Sequence, residues 1–245
     1  MPPRVCRAFI VTLVCVFLSN IFDATTADVP SSIKGVVPEA VKYEIIYELD
    51  IPAVNTILGS INNLNYGVDR SESGISFDRV AYVLQLDDEW VWVSFDTFTT
   101  SLSKLGVPVL SALPHGAKQY VNNLNIFSNK PTTDLKQGIY AKGNIEFWGG
   151  DYISANGEGI PSADTTSTDF DDTFAVGGYG CMQVHNYLES ETVLAYNNWG
   201  TSQSGAVSDL GIGNRATGQP DWTSAANAQS YTATRKLYVL VSTTT

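Results

Sequence analysis

The sequence predicts an all-β protein of the β-sandwich or jelly-roll kind, with long loops and little helix. Three observations predict it. Apolar and polar residues alternate with period two from Val41 to Ile51, the pattern of a half-buried strand. Two runs rich in β-branched and aromatic residues flank Asp87-Asp88-Glu89, as the arms of a hairpin do. Stretches rich in glycine, serine and asparagine separate the apolar runs, and no long helical period interrupts them; that spacing suits layered sheets.

The chain begins with Arg4 and Arg7, followed by the apolar run from Ala8 to Leu18, which gives way to polar residues and ends by Asp23. A bilayer core needs about 20 apolar residues, so the run is too short to span one. It fits the apolar region of a secretory signal. Residues 1–27 are therefore read as a signal peptide, cut after Ala27, with Ala24 as the alternative. Residues 28–40 read as an N-terminal linker and 41–245 as a single β-rich domain; a second domain, if present, would begin near 130–140.

In the first strand Val41, Tyr43, Ile45, Tyr47, Leu49 and Ile51 alternate with Lys42, Glu44, Glu48 and Asp50. Ile46 is the lapse and Pro52 the stop. Residues 55–76 read as turns with a short strand at 64–66. The run 77–86, with Val80, Tyr82, Leu84 and Leu86 on one face, pairs with 90–95 across a three-residue turn. Residues 100–119 read as irregular, with a helical turn near Leu102. Strands are expected at 120–127 and 143–148, a hairpin at 181–185 and 192–196, and a closing strand at 235–241. Residues 149–178 and 200–218 read as loops.

Acids outnumber bases 25 to 14, for a net charge of −11. Loss of the signal takes two arginines and one aspartate, leaving the rest more acidic. A phosphate backbone needs a cationic face, so nucleic acid is excluded as a partner. No later segment is long and apolar enough to be a membrane span. Cys6 and Cys15 lie in the signal, and Cys181 alone remains, so no internal disulfide is expected despite an oxidising destination.

Catalytic signatures are absent. There is no Gly-x-Ser-x-Gly elbow, and no spacing of histidine and cysteine that suits zinc. Cys181, Gln183 and His185 would share one face of a strand. Four residues of strand put Cys181 and His185 about 13 Å apart, too far for proton transfer; a buried thiol and a hydrogen-bonded imidazole is the plainer reading. Calcium is the one cofactor expected. Asp164, Asp169, Asp171 and Asp172 share a polar loop, and Asp209 opens Asp-Leu-Gly-Ile-Gly-Asn. Hard cations take several oxygens from carboxylates and loop carbonyls, so Asp169, Asp171 and Asp172 are the candidate ligands, against solvated loop acids. Glu146 with an aspartate could supply paired carboxylates for glycosidic cleavage, a pairing any acidic chain offers.

Aromatic rings beside amides suit a polyhydroxylated ligand, because rings cover the apolar faces of sugars and amides bond their hydroxyls. Trp148, Trp199 and Trp222, with Asn197 and Asn198, are the candidate ligand-binding residues, whereas Trp90 and Trp92 belong in the core.

The segments Gly180-Cys181-Met182-Gln183-Val184-His185-Asn186, Asp209-Leu210-Gly211-Ile212-Gly213-Asn214 and Gln219-Pro220-Asp221-Trp222-Thr223 resemble a domain that accompanies secreted esterases of the sialate O-acetylesterase type. So do Phe77-Asp78-Arg79-Val80-Ala81-Tyr82 and Gly143-Asn144-Ile145-Glu146-Phe147-Trp148. The resemblance runs from about residue 75 onward. It implies an accessory β-domain whose catalytic serine lies elsewhere, so no catalytic residue carries over. In composition and export the chain is also similar to extracellular and shell matrix proteins. The expected function is that of a secreted, non-catalytic extracellular matrix or polysaccharide-binding β-domain, including the mineralised, shell-type matrix. The alternative is a secreted carbohydrate-active hydrolase, an esterase or a glycosidase. Polysaccharide or matrix components are the expected partners.

Overall fold

The computed structural model describes residues 27–51, 65–70, 75–97, 102–104, 107–108, 117–130, 135–148, 181–186, 191–197, 209–213, 226–227 and 231–242; at 65, 66, 69, 102–104, 107–108, 117–119, 146–148, 181, 197, 209 and 226–227 the description is of the backbone. In chain order the strands are β1 (Tyr43–Asp50), β2 (Asn65–Asp69), β3 (Arg79–Leu86), β4 (Glu89–Asp96), β5 (Leu102–Lys104), β6 (Val107–Pro108), β7 (Ala117–Ser128), β8 (Gly138–Trp148), β9 (Cys181–Asn186), β10 (Glu191–Asn197), β11 (Asp209–Ile212), β12 (Ala226–Asn227) and β13 (Arg235–Ser242). The fold is all-β, as the alternating patterns predict. Among the described residues eleven strands form one antiparallel sheet in the order β12-β11-β10-β9-β8-β7-β4-β3-β13-β1-β2, and β5 and β6 make a separate ribbon.

A sandwich-like interior arises because this single sheet curls over itself. One apolar cluster takes residues from β1, β3, β4, β7, β8, β9, β10, β11 and β13, so strands far apart in the sheet order share one interior. Strands β4 and β10, not neighbours in the sheet, touch across it. Lys130, just after β7, pairs with Glu89 of β4 at 3.4 Å and donates from Nζ to the Ile212 carbonyl of β11 at 2.8 Å. Tyr231, ahead of β13, packs on the same interior, and its hydroxyl lies 3.5 Å from the Leu210 carbonyl.

The central strands are buried on both faces. In β3, Val80, Tyr82, Leu84 and Leu86 face the interior, while Ala81 and Val83 face outward into a second cluster. In β4, Val91, Val93 and Phe95 point inward, and Trp90 and Trp92 fill the outer cluster. Both tryptophans are therefore core, as predicted.

The alternation in β1 does not mark one face. Tyr43 and Ile45 belong to the outer cluster, Ile46, Tyr47, Leu49 and Ile51 to the inner. A register shift against β13 falls between Ile45 and Tyr47. A bulge inserts one residue and so switches the face of everything after it; Ile46, the lapse in the pattern, marks the switch. The strand begins at Tyr43, and Val41 lies in a 3-10 turn, 69% exposed.

Residues 28–40 do not behave as a linker. Ser31–Lys34 make one helical turn and Pro38–Lys42 a 3-10 turn, and Val29, Ile33, Val37 and Ala40 are buried in the outer cluster against Trp92 and its neighbours. Their spacing of four, four and three residues puts them on one side of a helical path; Pro30 and Pro38 break that path into short turns and disguise it. The Leu102 region is likewise extended, not helical, with Leu102–Lys104 paired to Val107–Pro108. Asp209–Ile212 is strand β11, paired to β10, so Asp209 does not open a loop. It ends at Gly213, whose φ of 73° is a backbone state glycine adopts without strain.

Candidate ligand-binding face

Strands β7 to β11 present a polar face opposite the curled interior. Val121, Ile145, Met182, Val184, Leu194, Tyr196, Leu210 and Ile212 all point inward. Successive side chains of a strand point to opposite faces, so the residues between them point outward. Register aligns these in rows. Tyr120, Asn144, His185 and Thr192 form one row across β7, β8, β9 and β10. The next holds the positions of Lys118, Glu146, Gln183, Ala195 and Gly211. The third holds those of Trp148, Cys181, Asn197, Asp209 and Asn227. A register shift between Thr192 and Leu194 keeps Thr192 on this face while Val193 and Leu194 both turn inward.

Close packing of the strands sets the first row. A Cβ on Gly143 would stand 2.7 Å from the His185 carbonyl oxygen and 2.6 Å from Leu124 Cδ2. Only glycine lets β8 lie this close to β9 here, beside the Asn144–His185 pair. Asn144, Gln183, His185 and Thr192 are all buried, whereas Tyr120 at the end of the row is 74% exposed. Thr192 Oγ1 and His185 Nδ1 are 3.3 Å apart, which fixes the imidazole ring. Buried polar groups cost folding free energy unless hydrogen-bonded, and Asn144, His185 and Thr192 each have partners here, so the row is a polar floor engaged within the chain. The exposed chemistry of the row is the Tyr120 ring at its end.

A second polar cluster lies on the outer face of β3, β4 and β7. Glu39 Oε1 accepts from Trp92 Nε1 at 2.9 Å and from the Ser94 hydroxyl, and Oε2 accepts from Asn125 Nδ2 at 2.9 Å. Arg79 donates to Tyr43 Oη (3.1 Å), Asp96 Oδ1 (2.7 Å), Ser94 Oγ (3.1 Å) and the Asn123 carbonyl (3.1 Å). Burial, then the nearby Glu39 carboxylate, push the Tyr43 hydroxyl above its ordinary pKa. Tyr43 stands edge-on to Trp92, with ring centroids 5.0 Å apart. With its donors and acceptors engaged on one another, this cluster pins the N-terminal turns to the sheet.

Of the predicted ligand-binding residues, Trp148 and Asn197 come together: both positions flank Cys181 in the third row. Trp199, Trp222 and Asn198 lie outside the described residues, as do the predicted calcium ligands Asp169, Asp171 and Asp172. Among the described residues no group of three or more histidine, cysteine or acidic side chains could hold a metal. Cys181 and His185 sit at opposite ends of the strand face, in different rows. Tyr120 was not among the predicted site residues. Its mark was legible: in Tyr120-Val121-Asn122 the ring falls on the polar phase of the alternation.

No family profile, curated protein or solved structure matches the chain. Among the described residues no helix is long and apolar enough to cross a membrane.

Proposed function

We propose that this is a secreted, non-catalytic protein that binds extracellular polysaccharide, and that the outward face of β7–β11 is where it does so. The observation that carries the reading is the register of that face, which gathers Tyr120, Asn144, Gln183, His185 and Thr192 with the positions of Trp148 and Asn197. Sugars present hydroxyls at their edges and apolar C–H surfaces on their faces. Asn197 is the proposed partner for the first, and Tyr120 and Trp148 for the second, above a floor of buried polar side chains. Trp148 and Asn144 are four residues apart on β8, about 13 Å along the strand, so the face has the length for an oligosaccharide rather than one ring. The leader at residues 1–27 and the acidic charge support residence in an extracellular matrix, a mineralised one included. Calcium at Asp169, Asp171 and Asp172 belongs to the same proposal.

The test is a titration of residues 28–245 with a panel of soluble polysaccharides, followed by intrinsic tryptophan fluorescence and calorimetry. At least one glycan should bind. Trp148→Ala and Asn197→Ala should each weaken it by about tenfold while the melting temperature stays within a few degrees. Binding unaffected by either change would move the site off this face, and no binding by the wild type to any glycan would refute the function.

A further inference from the structure

The exposed end of the same face has a charge that the polysaccharide reading does not by itself require. Most described cations of this acidic chain are matched: Lys34 with Asp28, Arg70 with Glu44, Arg79 with Asp96, Lys130 with Glu89, and Lys236 with Glu48 and Asp50. Lys142 is not. It is exposed on β8, directly across from exposed Asn122 of β7 and diagonal to Tyr120, which faces Asn144. Among the described residues it has no ion pair. With 25 acids available in the sequence, a cation left unmatched beside an exposed ring and an exposed amide is a place where negative charge from outside the chain is welcome.

We propose that Tyr120, Asn122 and Lys142 form a subsite for an anionic sugar, one that carries a carboxylate or a sulfate. The inference rests on the polysaccharide-binding reading and extends that face onto the part of the β7–β8 ladder that lies beyond the pairing with β4 and β9. The ring of Tyr120 covers the apolar face of the sugar, the Asn122 amide bonds a hydroxyl, and the Lys142 ammonium pairs with the anion. At physiological ionic strength charges are screened beyond about 8 Å. The net negative charge of the chain then does little to repel the glycan at this spot, while the ammonium in contact keeps its effect.

Affinity electrophoresis of residues 28–245 through gels that hold a neutral glucan, pectate, alginate or carrageenan tests it. The wild type should be retarded by the carboxylated or the sulfated gels more than by the neutral one. Lys142→Gln should weaken that retardation about two- to fivefold, the scale of one exposed ion pair. Tyr120→Ala should weaken it about fivefold or more. Lys42→Gln, which removes a second exposed lysine without an acidic partner, should leave it unchanged. Tyr120, Asn122 and Lys142 are exposed, so these variants should melt as the wild type does. Retardation by neutral gels alone, unchanged retardation of Lys142→Gln, or equal losses in Lys142→Gln and Lys42→Gln would each overturn the subsite and leave the polysaccharide reading standing. No retardation in any gel would overturn both.

Discussion

Single residues hold this fold at its sharpest points. The β3–β4 hairpin turns on Asp87 and Asp88, with Leu86 already paired to Glu89. Asp87 has φ 51°, a left-handed state that aspartate tolerates better than most side chains. Its carboxylate accepts from the backbone N–H groups of Thr232, Ala233 and Thr234 at 3.3, 2.6 and 2.9 Å. Those bonds, to Thr234 first, hold its pKa below the ordinary value. A carboxylate whose pKa is depressed by folding adds stability above its unfolded value of about 3.9, and that stability is lost as pH falls through the lower, folded pKa. Asp87→Asn keeps one acceptor and the turn. It should lower the melting temperature at pH 7 and flatten the decline on the acid side of pH 4, which thermal melts at stepped pH would read. An unchanged acid slope would mean that other carboxylates carry it. Gly143→Ala tests a different constraint. The backbone oxygen of His185 leaves no room for a methyl, so β8 and β9 must separate, at a cost of about 1–3 kcal/mol, visible as a lower urea midpoint. Neither residue stands out in the sequence: Asp87 reads as an ordinary turn acid, and Gly143 as an ordinary strand glycine, because the partners that constrain them are up to 147 residues away.

Elements were legible where two conditions met: enough length to show a period, and one face toward the interior. Strands β3, β4, β10 and β13 fall within a few residues of where alternation and β-branched content put them. Strand β11 did not show, because four residues with a glycine at the third carry no period; only its pairing to β10 and β12 makes it a strand. The N-terminal turns were misread for a related reason, since prolines hide an apolar stripe that only the sheet beneath explains. That stripe makes a prediction. Burial of Val29, Ile33 and Val37 is worth about 1.5–3 kcal/mol per side chain, and Glu39 adds its bonds to Trp92, Ser94 and Asn125. Deleting residues 28–42 should therefore expose Trp90 and Trp92, redden tryptophan emission, and raise binding of a hydrophobic dye. Glu39→Gln keeps the shape and one acceptor but turns an amide N–H toward groups that already donate; it should cost about 1–3 kcal/mol. A deletion variant with native emission and an unchanged melting point would show that the segment only rests on the sheet. The candidate face was half legible: amides and rings were evident by type, but the rows depend on register, which sequence spacing leaves open.

At the scale of the molecule, one curled sheet must be held shut where β10 and β11 fold back over its middle, and a different set of contacts does this than builds the ladders. The middle strands β3, β4 and β13 are paired on both edges and buried on both faces. Their amides should therefore open only with the whole fold. Strands β11 and β12 lie at one margin of the sheet, where β12 adds two residues, and the margin is tied across the interior by Lys130 and Tyr231. Local opening starts where buried apolar contact is least, so the margin should open before the middle. Hydrogen exchange read by mass spectrometry should find β3, β4 and β13 slowest and β11 and β12 fast. Lys130→Met keeps the apolar length of a side chain that is only 14% exposed, while removing both the hydrogen bond to the Ile212 carbonyl and the pairing with Glu89. Exchange in β11 should then quicken by more than in β3 and β13, because the tie lost is one of closure and not of pairing. If every strand quickened by the same factor, Lys130 would instead be stabilising the sheet as a whole, and the margin and the middle would be one cooperative unit.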